Sequence, residues 1–522
     1  VDAPRPHWQL GLLAGVVIIG GIVTLELGLR ALSLVPPDSP VLFHARTHDD
    51  HFSPFVAGPG GDLVIRPDWV NAGEGMRGRV GRRAGRQFLF PGFRPVRLAR
   101  EKPAGAVRIF ALGGSTTFGL YVGAEHAFAA ALERQLRERL PGRDVRVVNL
   151  GCAGFASDRV AGLLEVVLDL EPDLVIVYTG HNEMLGGEVG ATAVASPGLR
   201  LRIALLRSSV LFAWLDHAIA RTLRAAETEK VAEEVAALEA GHIPTFIPEA
   251  VPESQRVPPG EAFRARAAAG YREQLRRMIA AGKAAGVPLL FVHPAANLLT
   301  RPIPVHPQGF DQQAVFDGHL RAAEALGAAG KIDEALARLE QAQTLSPGYA
   351  SVYYRRGELL ARAGRLEEAR AAYQRAIDTD LRTYRMTSPL HRAFRESVAE
   401  GGVASLDVRP IFDARLDFDT AHELFVDHLH PTAEGHARIA EALLPEVLRL
   451  LGLPAGEADQ SGASSRASTT ICVASSEKCR MPAAFGWTRS MNSSGARASR
   501  RLAVTKPARR YTRSVWLASA RT

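Results

Sequence analysis

The chain has 522 residues, 63 of them Lys or Arg and 55 Asp or Glu, for a formal net charge of +8. From Ser461 to Thr522 there are 12 basic residues against the single acidic Glu477, so this segment carries +11 and the remainder −3; the net charge is no sign of a basic nucleic-acid-binding fold. The length allows two or three folding units, and the three cysteines, Cys152, Cys472 and Cys479, stand without metal-ligand spacing, which excludes a zinc site and a disulfide framework.

In chain order, the first element is apolar. Leu10 to Leu25 is uncharged, and the stretch from Trp8 through Leu34 reaches the length of about 20 residues that a membrane span needs. Glu26 and Arg30 then fall towards one interface, paired at i, i+4. No small-x-small site follows the apolar core, so the expectation is an uncleaved anchor over residues 1–36 rather than a signal peptide. Everything after residue 36 is then on the outer, periplasmic or extracellular, side. Residues 37–104 form an N-terminal extension.

Val107-Arg108-Ile109-Phe110-Ala111-Leu112 reads as a buried strand, followed by Gly113-Gly114-Ser115 and a helix over residues 127–140. A second strand, Val145-Arg146-Val147-Val148, leads into Asn149-Leu150-Gly151-Cys152-Ala153-Gly154 and a helix over 159–170. A third, Leu174-Val175-Ile176-Val177, leads into Tyr178-Thr179-Gly180-His181-Asn182-Glu183. Cys152 is expected as a small buried residue. An insertion over about 185–268 carries an apolar helix with basic punctuation over 199–223, which fits a membrane surface or its own domain. The runs 287–292 and 403–408 read as a fourth and a fifth strand, and 436–451 as a closing helix. Continuous apolar runs alternating with helical patterns argue for a parallel sheet covered on both faces, a three-layer α/β/α sandwich.

The chemistry lies at the ends of these strands. Ser115 stands at a strand-to-helix turn, and Asp427-His428-Leu429-His430-Pro431 places an acid and two imidazoles in one late loop. A hydroxyl becomes a nucleophile when a base takes its proton and a carboxylate orients that base. His430 is the expected base, with His428 as the alternative. Glycines and an Asn at strand C-termini offer close N–H donors to an oxyanion.

Ser115, Gly154, Asn182 and His430, in four blocks and in this order, with Asp427 three residues before His430, resemble the SGNH (GDSL) hydrolase superfamily. The resemblance spans roughly residues 105–185 and 270–452. It implies Ser115 as nucleophile, His430 as base oriented by Asp427, and an oxyanion hole of the Ser115 and Gly154 N–H groups with Asn182. Gly113-Gly114-Ser115 departs from the family's Gly-Asp-Ser. No cofactor and no metal are expected.

Between the fourth strand and the Asp-His block, Ala329-Gly330-Lys331-Ile332-Asp333-Glu334-Ala335 recurs 34 residues later as Ala363-Gly364-Arg365-Leu366-Glu367-Glu368-Ala369. This period, with small residues at helix crossings and Tyr373, resembles the tetratricopeptide repeat. The expected organisation is therefore a catalytic domain over 105–315 and 384–454, split by a repeat region over 316–383 that binds a protein partner or covers the site, and a disordered basic tail over 455–522. Two repeats are fewer than stand alone, so they should lean on the catalytic domain or on a helix around 384–399. The expected function is a membrane-anchored esterase of the cell envelope, the alternatives being an O-acyltransferase on an envelope polysaccharide or a non-catalytic scaffold. No nucleic acid is expected as a partner.

Overall fold

The computed structural model describes residues 7–32, 52–70, 92–184, 197–216, 260–306, 310–381, 384–414 and 416–453, together with residues 34 and 218. The expected tail, with Cys472 and Cys479, lies outside the described residues.

The first helix, α1, runs His7–Ala31. Its side chains before residue 15 lie outside the described residues. Among the described residues no helix is long and apolar enough to cross a membrane, so the expected anchor has no support from the fold. The extension after it holds a small antiparallel sheet, β1 (Phe55–Ala57), β2 (Leu63–Ile65) and β3 (Arg97–Leu98).

The central sheet has five parallel strands, β4 (Val107–Gly113), β5 (Val145–Gly151), β6 (Leu174–Tyr178), β7 (Leu289–His293) and β8 (Ala404–Asp407), in the order β5-β4-β6-β7-β8. Side chains alternate across a strand. Phe110 and Leu112 therefore enter one apolar layer, while Ile109 and Ala111 enter the other. The first layer is closed by helix α4 (Ser157–Leu168), which follows the four-residue α2 (Ser115–Phe118) and α3 (Phe128–Arg139) in the chain. It is also closed by Tyr271, Leu275 and Met278 of α6 (Glu261–Ala285), a helix that comes after α5 (Pro197–Ser208). The second layer is closed by Phe128, Leu132 and Leu136 of α3 with Ile439, Leu443 and Val447 of the last described helix, Ala433–Leu450. Helices thus cover both faces, as the continuous apolar runs require. The chain winds from β4 to β5 on one side and to β6 on the other. The C-terminal ends of β4, β5 and β6 therefore flank a crevice of the kind in which open α/β sheets bind ligands.

The repeat region contains two helical hairpins, α7 (Gln313–Ala328) with α8 (Ile332–Leu345) and α9 (Ala350–Arg362) with α10 (Leu366–Thr379). Ala335 and Ala369, and Ala342 and Ala376, occupy equivalent buried positions. The hairpins lean on the catalytic domain: the Tyr354 hydroxyl donates to Leu299 O at 2.9 Å, and Arg370 Nη2 to Asp413 O at 2.9 Å. The remaining helices are α11 (Ser388–Gly401), α12 (Arg409–Asp413), α13 (Phe418–Leu424) and α14 (Ala433–Leu450).

The single helix expected over 199–223 is broken at Ser209, and much of its second half lies outside the described residues. Ser209 Oγ accepts from Phe212 N at 3.0 Å, an N-cap that starts a new helix. The Glu26 carboxylate accepts from Val210 N and Leu211 N at 2.9 and 2.8 Å, two more of the N–H groups a helix start leaves unpaired. The insertion therefore packs on α1 through Glu26 and Arg30, the charged pair near its C-terminal end.

Candidate active site

Ser115 is the first residue of α2, directly after β4. The turn before it is tight: a Cβ on Gly114 would lie 2.7 Å from Asn182 Nδ2 and 3.2 Å from Phe155 O. A side chain at position 114, as in Gly-Asp-Ser, would require the Asn182 amide to shift. Buried Arg94 holds the far end of the turn, donating from Nε to Phe118 O at 3.2 Å and from Nη2 to Gly119 O and Val122 O at 3.1 and 2.9 Å. Asn149 joins the end of β5 to the same turn, with Nδ2 donating to Thr117 O at 2.7 Å.

The late loop is held by its own acid. Asp427 Oδ1 accepts from Leu429 N and His430 N at 2.9 and 2.8 Å, while Oδ2 lies 2.7 Å from His430 Nδ1. His430 Nε2 lies 2.7 Å from Ser115 Oγ. A carboxylate only accepts, so Nδ1 carries the ring proton and Nε2 presents its lone pair to the serine O–H. His428 Nδ1 is 3.8 Å from the same carboxylate oxygen, so His430 is the imidazole that bridges acid and hydroxyl. Burial works to raise the Asp427 carboxyl, but the His430 and His428 charges and the hydrogen bonds of the turn outweigh it and hold the group well below the usual carboxylate range. Asp427 thus stays ionised beside the ring.

The blocks that carry Gly154 and Asn182 lie against the turn before Ser115. Gly154 has φ +79°, a left-handed conformation that glycine adopts without strain. Asn182, 7 % exposed, donates from Nδ2 to Phe155 O at 2.9 Å, which occupies one of its two amide hydrogens. Glu183 ties this block to the preceding one: its carboxylate accepts from Ser157 Oγ at 2.6 Å, Ser157 N at 3.2 Å and Thr179 Oγ1 at 3.3 Å. Burial raises that carboxyl to about 7, against the pull of the Ser157 hydrogen bonds. Phe155 is packed edge-on by Phe52 and Phe93 at 6.4 and 5.6 Å, so the N-terminal extension braces the loop that carries Gly154. Tyr121 stands over the base, its ring edge-on to His430 at 5.2 Å, with φ +70°.

Hydrogen bonds join Ser115, His430 and Asp427, Asn182 lies against the Gly114 turn, and Gly154 directly precedes Phe155, to which Asn182 donates. Cys152 is free and fully buried, and burial pushes its thiol far up. Arg94 and Tyr121 escaped the sequence reading, and Glu183 was read there only as the last residue of the Asn182 block. For Glu183 a signal existed, since it follows Asn182 directly. For Arg94 and Tyr121 none did.

Residues 111–323 match the model of the GDSL-like Lipase/Acylhydrolase family, a span that holds Ser115, Gly154 and Asn182 and ends before Asp427 and His430. The chain carries a GDSL-type domain and is a serine hydrolase acting on esters. Residues 320–381 match the Tetratricopeptide repeat model, which gives this hydrolase an inserted repeat region. A comparison with curated proteins finds no match. Among solved structures, the hydrolase is similar to LAE5, an alpha/beta hydrolase enzyme from the metagenome of Lake Arreo, at 14% identity over 67% of this chain and 97% of that one, with a TM-score of 0.30. It is similar to Axe2, an acetylxylan esterase from Geobacillus stearothermophilus, at 13% identity over 67% and 96%, with a TM-score of 0.30. It is similar to TesA at 13% identity over 66% and 99%, with a TM-score of 0.28. At these values the likenesses carry no weight for fold or substrate, and the parallel sheet stands on its own register.

Proposed function

We propose that this hydrolase cleaves an ester of the cell envelope by a Ser115–His430–Asp427 mechanism. The observation that carries the reading is the pair of 2.7 Å contacts, Ser115 Oγ to His430 Nε2 and His430 Nδ1 to Asp427 Oδ2. Ser115 gives its proton to Nε2 as Oγ attacks the ester carbonyl carbon. The oxyanion is held by the Ser115 and Gly154 N–H groups and the second amide hydrogen of Asn182. Collapse expels the alcohol, which takes the proton from Nε2 and leaves an acyl-serine. A water, deprotonated by the same nitrogen, then releases the acid.

Attachment to a membrane through residues 8–34, with the catalytic part on the outer side, belongs to this proposal and rests on the apolar run of the sequence. Recruitment of a protein partner by the repeats belongs to it as well. Transfer of the acyl group to a sugar hydroxyl in place of water, an O-acyltransferase, uses the same acyl-serine and differs only in the acceptor. A fluorophosphonate located by mass spectrometry tests the nucleophile. Labelling at Ser115 is expected, and failure of several probes against folded protein would shift the reading to a non-catalytic scaffold.

A further inference from the structure

The loop after β7 links the repeat region to the catalytic loop. Asn297 N donates to His428 O at 3.0 Å, and Asn297 Nδ2 to Asp427 O at 3.2 Å, so one residue grips two successive carbonyls of the loop that carries the base. Asn297 Oδ1 accepts from Leu299 N at 3.0 Å, which sets the amide orientation. On its other side, Asn297 O accepts from Arg385 Nη1 at 3.2 Å. Arg385 Nη2 pairs with Asp380 Oδ2 at 2.7 Å, their side chains 1% and 0% exposed. Asp380 Oδ1 accepts from Ile303 N at 2.8 Å, so the residue directly after α10 holds the same loop at a second point. Tyr354 of α9 holds it at a third, through Leu299 O.

A buried ion pair is weak evidence for stability, because its desolvation offsets its attraction, whereas a register role is its best-attested use. Here the pair fixes the register of residues 297–303 against the end of the repeats. We infer that Asn297 is a positioning residue for the Asp427–His430 pair, and that the Asp380–Arg385 pair anchors Asn297 to the repeat region. The repeats are thus part of the scaffold that aims the base. The inference rests on reading His430 as the base.

The test uses the full chain. A low-field proton resonance from His430 Nδ1–H, present in the parent and lost in His430→Ala, reports the acid–base pair; its absence in the parent would remove that reading and this inference with it. In Asn297→Ala the resonance should shift or broaden, and kcat on a small ester should fall about tenfold to a hundredfold at unchanged KM, the loss expected of a displaced catalytic group. Arg385→Met alone leaves a buried unpaired acid and endangers folding. The double variant Asp380→Leu/Arg385→Met removes both charges together, but also the acceptor of Ile303 N and the donor to Asn297 O, so it should fold with a lowered melting temperature and lose kcat. If the resonance is present in the parent, and both variants fold with parental kcat and an unshifted resonance, Asn297 is structural only and the inference fails while the base assignment stands.

Discussion

Tyr121 is the residue under most backbone strain near the base. A bulky side chain at φ +70° is an outlier, and such positions cost of order 1–3 kcal/mol unless their surroundings hold them. Its ring covers His430, and burial, with the Asp427 charge beside it, pushes its hydroxyl far up. Tyr121→Gly relieves that strain but removes a packed ring, a loss of about 3–5 kcal/mol that outweighs it, so the melting temperature and kcat should both fall, while Tyr121→Phe should keep both. A glycine variant as stable and as active as the parent would show that the ring neither packs on nor orients His430. Buried imidazoles set the acid limit of the fold. Burial holds His181, His293 and His436 down, each to about 3. His436 Nδ1 accepts from Phe128 N at 3.3 Å, and His293 Nε2 meets His391 Nδ1 at 2.7 Å, contacts that suit neutral rings. In the unfolded chain each binds a proton near its ordinary 6.5, so between 6.5 and 3 the unfolded state holds more protons and stability falls as pH falls. Glu183 has the opposite sign. Its folded carboxyl titrates at about 7 against an ordinary 4.5, so its contribution is full below 4.5 and is lost as pH rises through 7. The melting temperature should drop from pH 6.5 to 4.5, and Glu183→Gln should gain on the parent as pH rises from 5 to 8. A flat profile, or a pH-independent difference between the two proteins, would contradict these assignments.

At the scale of elements, the first three strands of the sheet and their site blocks were readable because the runs of β4, β5 and β6 each stop at a glycine and a polar residue. Gly113-Gly114-Ser115 after β4 and Gly180-His181-Asn182 after β6 are such stops. The braces were not readable. Arg94 and Arg385 look like surface arginines in loops, and only the tertiary fold supplies the carbonyls and the acid that bury them. The break at Ser209 was hidden for the same reason, since Glu26 lies 183 residues away. The 34-residue repeat was visible, and its packing makes a sharp prediction. In an open helix Gly→Ala stabilises by about 0.5–1 kcal/mol. Gly318 of α7 has nothing within 4 Å of its missing Cβ, whereas at Gly357 of α9 that Cβ would lie 2.8 Å from the Tyr373 ring. Gly318→Ala should raise the melting temperature and Gly357→Ala should lower it, by about 1–3 kcal/mol of overpacking. Equal shifts in thermal unfolding would show that the α9–α10 crossing is looser than described.

At the scale of the whole molecule, the parallel sheet carries Ser115, Gly154 and Asn182 beyond its strand ends, the loop between α13 and α14 carries Asp427 and His430, the extension braces the Gly154 loop, and the repeats hold the loop after β7. Chain order alone could not reveal this division of labour, because Phe52, Phe93, residues 297–303, Asp380 and Arg385 meet the site only through packing. The membrane and envelope proposals rest on residues 8–34 and stand apart from the catalytic geometry. The central claim is that Ser115 and His430 act as one unit. Its most direct measurement is the turnover of a short p-nitrophenyl ester by Ser115→Ala, His430→Ala and the double variant, with melting temperatures taken alongside. Each single variant should lose nearly all activity, and the double variant should be little worse than either, as for members of one catalytic unit. Losses that multiply, or a folded Ser115→Ala protein that turns over the ester like its parent, would contradict the account.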